Sequence, residues 1–263
     1  MIRLSPLVRR ITAPNPSIMT GAGTNTYLVG IEEVAVIDPG PDDPQHIAAL
    51  IQAVEGVRIR WVLLTHTHRD HAPGAGPLAL QTGAEILAFG HPHVTPDRTI
   101  GDGDVLATIG FTLEVLYTPG HASDHLCFFL REEAALFAGD LIMSGSTVVI
   151  SPPDGDMAAY MRSLERLRQR RIARIYPGHG EVIEHPGMII DEYIHHRRMR
   201  EAQVLDALKA WPLRIADLVV QIYAGLPETL HPLAARSVYA HLLKLKSEGK
   251  VTGADRESEW TLL

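Results

Sequence analysis

Cys127 is the only cysteine in 263 residues. One thiol excludes an internal disulfide framework and any zinc finger built on paired cysteines. Lysine is also scarce, with only Lys209, Lys244, Lys246 and Lys250, all near the end of the chain. No stretch approaches the roughly 18 consecutive apolar residues a membrane-spanning helix needs, so no transmembrane segment is expected. The opening segment MIRLSPLVRR has no apolar core followed by a small-residue cleavage site. No signal peptide is therefore expected, and the reading is a cytoplasmic protein. What the chain does have is 46% hydrophobic and 21% charged residues, the balance of an ordinary globular protein. It is also rich in histidine, with 14. Without cysteine to spare, any metal site has to be built from histidine and carboxylates.

Charge is unevenly distributed. Residues 1–194 carry 14 Lys+Arg against 23 Asp+Glu, a net of −9, and residues 195–263 carry 10 against 8, a net of +2. That step predicts two domains, 1–194 and 195–263. Over the first two-thirds, short apolar runs alternate with helical patterns. Strands are expected at 26–30, 34–37, 60–65, 85–89, 105–109, 111–117, 126–130, 134–138 and 172–176. Helices are expected at 46–54, 75–82 and 157–169. Sheets with helices on their outer faces follow, an α/β fold. The tail reads as a long helix over 186–211, helices at 215–223 and 234–246, and a terminal hairpin, which resembles a winged helix.

The chemistry concentrates in Thr65-His66-Thr67-His68-Arg69-Asp70-His71, directly after the apolar strand 60–64. Four possible ligands within six residues, on a loop leaving a strand end, form a metal-site pattern that suits zinc, manganese or iron. Three further segments repeat one design, an apolar strand, a glycine, then a ligand: Thr118-Pro119-Gly120-His121, Phe137-Ala138-Gly139-Asp140 and Tyr176-Pro177-Gly178-His179. Glycine lets the backbone turn tightly beside a metal.

Together these seven residues resemble the ligand set of the metallo-β-lactamase superfamily, over roughly residues 5–190. The resemblance implies an αββα sandwich with two zinc ions at one edge, manganese or iron being the other metals such donors take. His66, His68 and His121 would hold one ion, Asp70, His71 and His179 the other, and Asp140 would bridge them. The pair would clamp a metal-bridging hydroxide, with Asp70 among the catalytic residues. Asp140 as bridge is similar to the thioesterase and phosphodiesterase branches rather than to the antibiotic-hydrolysing enzymes. His68 stands where the flavodiiron oxygen reductases carry a glutamate.

The tail motifs Tyr193-Ile-His-His-Arg197, Arg200-Glu-Ala-Gln203 and the run Leu242–Lys250 resemble the β-lactamase-like protein 2 group, which joins this domain to a C-terminal winged helix. That resemblance puts phosphodiester cleavage of single-stranded RNA first. The alternative is a thioesterase or small-ester hydrolase of the glyoxalase II type. No membrane partner is expected. A purely regulatory winged-helix protein is disfavoured by the complete ligand set.

Several residues have two readings. His125, four residues after His121, is a proton donor to the leaving group or an orienting residue behind a ligand. Asp38, in Ile-Asp-Pro-Gly, accepts a bond from a ligand imidazole or caps a turn. His91 and His93 belong to an exposed loop or the substrate rim. His195 and His196 lie on the long helix, as packing or surface. Cys127 is a small core residue. Ser144-Gly-Ser-Thr147 lines the pocket or is a plain loop. Arg162, Arg166, Arg168, Arg170, Arg171 and Arg174 form a solvated helix face or attract phosphate.

Overall fold

The structure is a computed structural model and describes residues 1–92, 94–145 and 147–263. His93 and Ser146, named above as rim and pocket candidates, lie outside the described residues. The chain divides into two compact units, the first made of residues 1–118, 124–147 and 171–186, the second of 119–123, 148–170 and 187–263.

The first unit is an α/β sandwich. One sheet runs in sequence order: β1 (Ile2–Arg3), β2 (Val8–Thr12), β3 (Asn25–Val29), β4 (Glu33–Ile37), β5 (Arg58–Leu63), β6 (Glu85–Ala88) and β7 (Arg98–Thr99). Its pairings are antiparallel as far as β4 and parallel from β4 to β7. Parallel neighbours require crossovers, supplied here by α1 (Pro44–Gln52) between β4 and β5 and α2 (Ala75–Thr82) between β5 and β6. Asp43 starts α1: its carboxylate accepts from the Gln45 and His46 amides, and Pro44 supplies a preset first turn. The second sheet has the order β12, β11, β10, β9, β8: β8 (Val105–Ala107), β9 (Thr112–Tyr117), β10 (Leu126–Leu130), β11 (Ala135–Gly139) and β12 (Arg174–Pro177).

Alternation along the strands sorts their side chains into two cores. Tyr27, Ile37, Trp61 and Leu63 of the first sheet meet Leu113, Val115, Phe128, Phe137 and Tyr176 of the second. On the other face, Leu28, Val34, Val36 and Val62 pack on Ile47 and Leu50 of α1 and Leu78 of α2. β3 and β11 are buried along their whole length, which explains the unbroken run of apolar and small residues in β11.

The second unit contains α3 (Met157–Arg168), α4 (Pro186–Ala207), α5 (Ile215–Ile222) and α6 (His231–Ser247), then a hairpin of β13 (Val251–Thr252) and β14 (Thr261–Leu262). Fully buried Trp260 centres a core with Leu208, Leu218, Val238, Leu242 and Leu245. No helix among the described residues is long and apolar enough to cross a membrane.

Candidate metal centre

The site collects at carboxyl ends of strands. Asp38 follows β4, the 65–71 loop follows β5, Asp140 follows β11 and His179 lies just beyond β12. Each strand delivers its ligand where the backbone leaves the sheet, the usual crevice of an α/β fold.

Asp38 organises the loop after β5. It adopts a left-handed conformation, φ 50°, which turns its buried side chain back across the strand end. Its Oδ1 accepts from the Thr65 amide at 2.8 Å. Its Oδ2 accepts from the Thr65 hydroxyl at 2.7 Å and from His71 Nδ1 at 2.9 Å. Because the Thr65 hydroxyl donates to Asp38, it accepts from His66 Nδ1, 3.0 Å away. His179 Nδ1 donates to the Gly23 carbonyl at 3.2 Å. The outer nitrogen of each of these three imidazoles is thereby occupied, which leaves Nε2 with its lone pair facing inward. That is the tautomer a metal-ligating histidine needs.

The inward atoms converge. His179 Nε2 lies 3.1 Å from Asp70 Oδ2 and 3.4 Å from Asp140 Oδ1. His71 Nε2 lies 3.3 Å from Asp70 Oδ2, 3.4 Å from Asp140 Oδ1 and 3.3 Å from His179 Nε2. His66 Nε2 and His68 Nδ1 stand 3.0 Å apart. Within the first unit two ligand groups emerge, His66 with His71 and Asp140, and Asp70 with His71 and His179, each with its donor atoms within 4.8 Å of one another. Imidazole nitrogens at such spacing repel unless a proton or cation lies between them. The donor set, borderline nitrogen with hard oxygen, fits divalent zinc, manganese or iron.

Electrostatics agree with ligand duty. Burial alone would raise the Asp140 carboxyl, but His71 and His179 outweigh it and hold it well below the usual carboxylate range. Asp70 behaves likewise: hydrogen bonds from His179 and His71 overcome its desolvation and lower it. Burial would lower His179, yet its bonds to Asp140 and Asp70 push it up to about 9. His71 is raised against its own desolvation by Asp140 and Asp38. His66 is lowered, first by burial and then by the neighbouring His71 and His68. A divalent cation among these groups would displace the protons that the histidines otherwise hold.

Of the seven expected ligands, His66, His68, Asp70, His71, Asp140 and His179 come together in the first unit. His121 belongs to the second unit, where its Nδ1 donates to the Val149 carbonyl at 2.9 Å and leaves Nε2 as its ligand atom. His125 is fully buried, with Nε2 3.2 Å from the Asp140 amide and Nδ1 3.0 Å from Thr118 Oγ1. Of its two readings, these bonds fit the orienting one. Asp38 takes the ligand-supporting one. His91 Nδ1 lies 3.2 Å from Thr67 Oγ1, beside the ligand loop. Sequence reasoning attached no role to Thr65, the Gly23 carbonyl or Thr118. The signal for Thr65 was its hydroxyl immediately before the first histidine.

The sequence pattern of the metallo-beta-lactamase superfamily matches residues 19–179, and that of the beta-lactamase associated winged helix domain matches residues 215–260. A beta-lactamase-like protein 2 homolog of Drosophila melanogaster is 38% identical over 95% of this chain and 91% of its own. An atrochrysone carboxyl ACP thioesterase of Aspergillus fumigatus is 37% identical over 78% of this chain and 66% of its own. Among solved structures, a metallo-beta-lactamase family protein from Thermus thermophilus superposes with a TM-score of 0.83 at 24% identity, covering 99% of this chain and 100% of that one.

Proposed function

The chain belongs to the metallo-beta-lactamase superfamily, a family of hydrolases, and from that premise we propose that it hydrolyses acyl esters and thioesters with two divalent cations, zinc first among them. The observation that carries the reading is the convergence of Asp70, His71, Asp140 and His179 at 3.1–3.4 Å, with outer imidazole nitrogens fixed by Asp38 and Gly23. His66, His68 and His121 would hold one ion, Asp70, His71 and His179 the other, and Asp140 both. When bound, such a pair supplies an activated water and stabilises negative charge developing on the substrate oxygen. Asp38 and Thr65 keep His71 and His66 in their ligating tautomer. Asp70, whose side chain is 29% exposed, is the carboxylate nearest solvent. Its lowered pKa keeps it ionised and suits it to accept a hydrogen bond from the attacking water and orient it, rather than to carry a proton. We assign the chemistry to residues 1–194 and an accessory role to residues 195–263, and place the protein in the cytoplasm, in keeping with a single, buried cysteine.

Two features favour an acyl substrate over RNA, the reading placed first on sequence grounds. Two of the six arginines that suggested phosphate attraction are engaged by carboxylates: Arg168 pairs with Asp191 at 2.7 Å and Arg174 with Glu184 at 3.5 Å. A thioesterase also stands among the relatives. Cleavage of single-stranded RNA is the second reading, supported by the winged helix domain.

The test uses zinc-loaded protein, an acyl-coenzyme A thioester with thiol release followed in a chromogenic assay, labelled single-stranded RNA, and the Asp140→Ala variant. Thioester turnover reduced at least about 100-fold by Asp140→Ala, with RNA intact, is expected, since the variant removes a group that stabilises the transition state through the metals. RNA cleavage lost in the variant, without thioester turnover, would install the second reading.

A further inference from the structure

We propose that His125 is a positioning residue: it holds the backbone of Asp140, and with it the carboxylate assigned above to both ions, through a hydrogen-bond chain that passes through the single cysteine. The inference rests on the dinuclear reading of the site.

The chain has one consistent direction. A backbone amide can only donate, so the Asp140 N–H, 3.2 Å from His125 Nε2, requires a lone pair on that nitrogen. The neutral ring then carries its proton on Nδ1, which donates to Thr118 Oγ1 at 3.0 Å. The Thr118 hydroxyl donates to Cys127 Sγ at 3.2 Å. The thiol in turn points to the Ala138 carbonyl at 3.7 Å. The path therefore begins at Asp140 and ends at Ala138, bracketing the turn that leaves β11.

That turn is built for the close approach. Gly139 sits at φ 47°, and a Cβ there would lie 2.6 Å from Thr65 Oγ1 and 2.8 Å from His125 Nε2. Thr118, His125 and Cys127 are each completely buried, so water does not compete for these bonds. A second tie comes from the Leu126 amide, which donates to the Thr65 carbonyl at 2.6 Å and joins the start of β10 to the ligand loop. With Nε2 accepting and the Nδ1 proton directed at Thr118, His125 acts through Asp140. The lone cysteine acts as a weak acceptor and donor that closes the path, rather than as a nucleophile.

The full-length chain is stripped of metal and titrated with cobalt(II) and zinc against a chromophoric chelator, for the wild type, His125→Leu, His125→Gln and Thr118→Val. His125→Leu removes the acceptor for the Asp140 amide. It is expected to weaken metal binding about 10- to 100-fold, the range for loss of a group behind a ligand, and to alter the cobalt ligand-field spectrum. His125→Gln restores an acceptor oxygen and is expected to recover most of the affinity and the wild-type spectrum. Thr118→Val, which leaves His125 in place but unanchored, is expected to weaken binding in the same direction, and it serves should His125→Leu fail to fold. Wild-type affinity and spectrum in both His125→Leu and Thr118→Val, or no advantage of His125→Gln over His125→Leu, would overturn the proposal alone. A wild type that takes up no metal would overturn the dinuclear reading and this proposal with it.

Discussion

Asp38 carries three hydrogen bonds on one carboxylate, and two of them, from the Thr65 hydroxyl and His71 Nδ1, fall on the same oxygen. Asp38→Asn keeps the volume but cannot accept at both oxygens. One of its partners is left with an unmet donor in a buried setting, and the His71 tautomer is no longer fixed. The expected result is a metal affinity reduced about 10- to 100-fold, together with a fall of a few degrees in the melting temperature of the metal-free protein from the unmet donor, measured by chelator competition and by calorimetry. Unchanged affinity would reduce Asp38 to a turn-former. The candidate ligands stood out in the sequence, because His66, His68, Asp70 and His71 fall within six residues and the other three follow glycines at strand ends. Asp38 was half legible. Its identity was visible, but its role depends on a left-handed backbone, which turns the side chain toward a strand neighbour 27 residues away. Thr118 and Cys127 were opaque, since an ordinary buried strand also contains such residues and only pairing across β9 and β10 brings them together.

Elements were legible where one period dominated. The spacing over 75–82 gave α2 at its observed limits, and the run 126–130 gave β10. β2 escaped notice because Val8–Thr12 carries Arg9 and Arg10 in its centre, against the composition expected of a buried strand. Arg10 is nonetheless buried, its guanidinium on the Gly180 carbonyl and Glu181. The long helix of the tail ends at Ala207, short of the expected 211. On α6, His241 is buried with neither ring nitrogen hydrogen-bonded among the described residues, and it faces Arg197, His196 and Arg200 of α4 and Lys244 of its own helix. Burial first, and then those cations, push it down to about 3. In the unfolded chain its value is the ordinary 6.5. Between these values the unfolded state binds more protons, so this contribution to stability is complete above about pH 6.5 and is lost as pH falls toward 3. At roughly 1.4 kcal/mol per pKa unit the loss amounts to a few kcal/mol. His241→Leu is expected to flatten that acid limb in melts followed by helical circular dichroism between pH 7 and pH 4. A limb as steep in the variant as in the wild type would place the acid sensitivity elsewhere.

At the scale of the whole chain, a net charge of −7 opposes a polyanion, and the one region with a positive balance does not present its lysines freely. Lys209 pairs with Asp206 at 2.6 Å, Lys244 with Glu201 at 2.7 Å and with Glu248 at 2.6 Å, and Lys250 with Glu248 at 2.7 Å, while Lys246 donates to the Gly253 carbonyl. Composition showed the four lysines gathered in the tail, but pairing is a property of three dimensions, and it engages the lysines that a winged helix would bring to phosphates. Nucleic-acid affinity grows with the number of phosphates neutralised, and so does its dependence on salt. Single-stranded RNA is therefore expected to bind no tighter than about 10⁻⁴ M near physiological salt, the weak end of non-specific binding, with a shallow salt slope. Replacing both acidic partners, as in a Glu201→Gln, Glu248→Gln double variant, frees Lys244 and Lys250. It is expected to tighten RNA binding and to steepen the slope by up to about two phosphate contacts, while thioester turnover is unchanged because neither glutamate is among the residues assigned to the reaction. Fluorescence anisotropy across a salt series measures both quantities. Micromolar binding with a steep slope in the wild type would mean that the lysines contact phosphate despite their carboxylate partners, and the acyl reading would then lose the electrostatic half of its support.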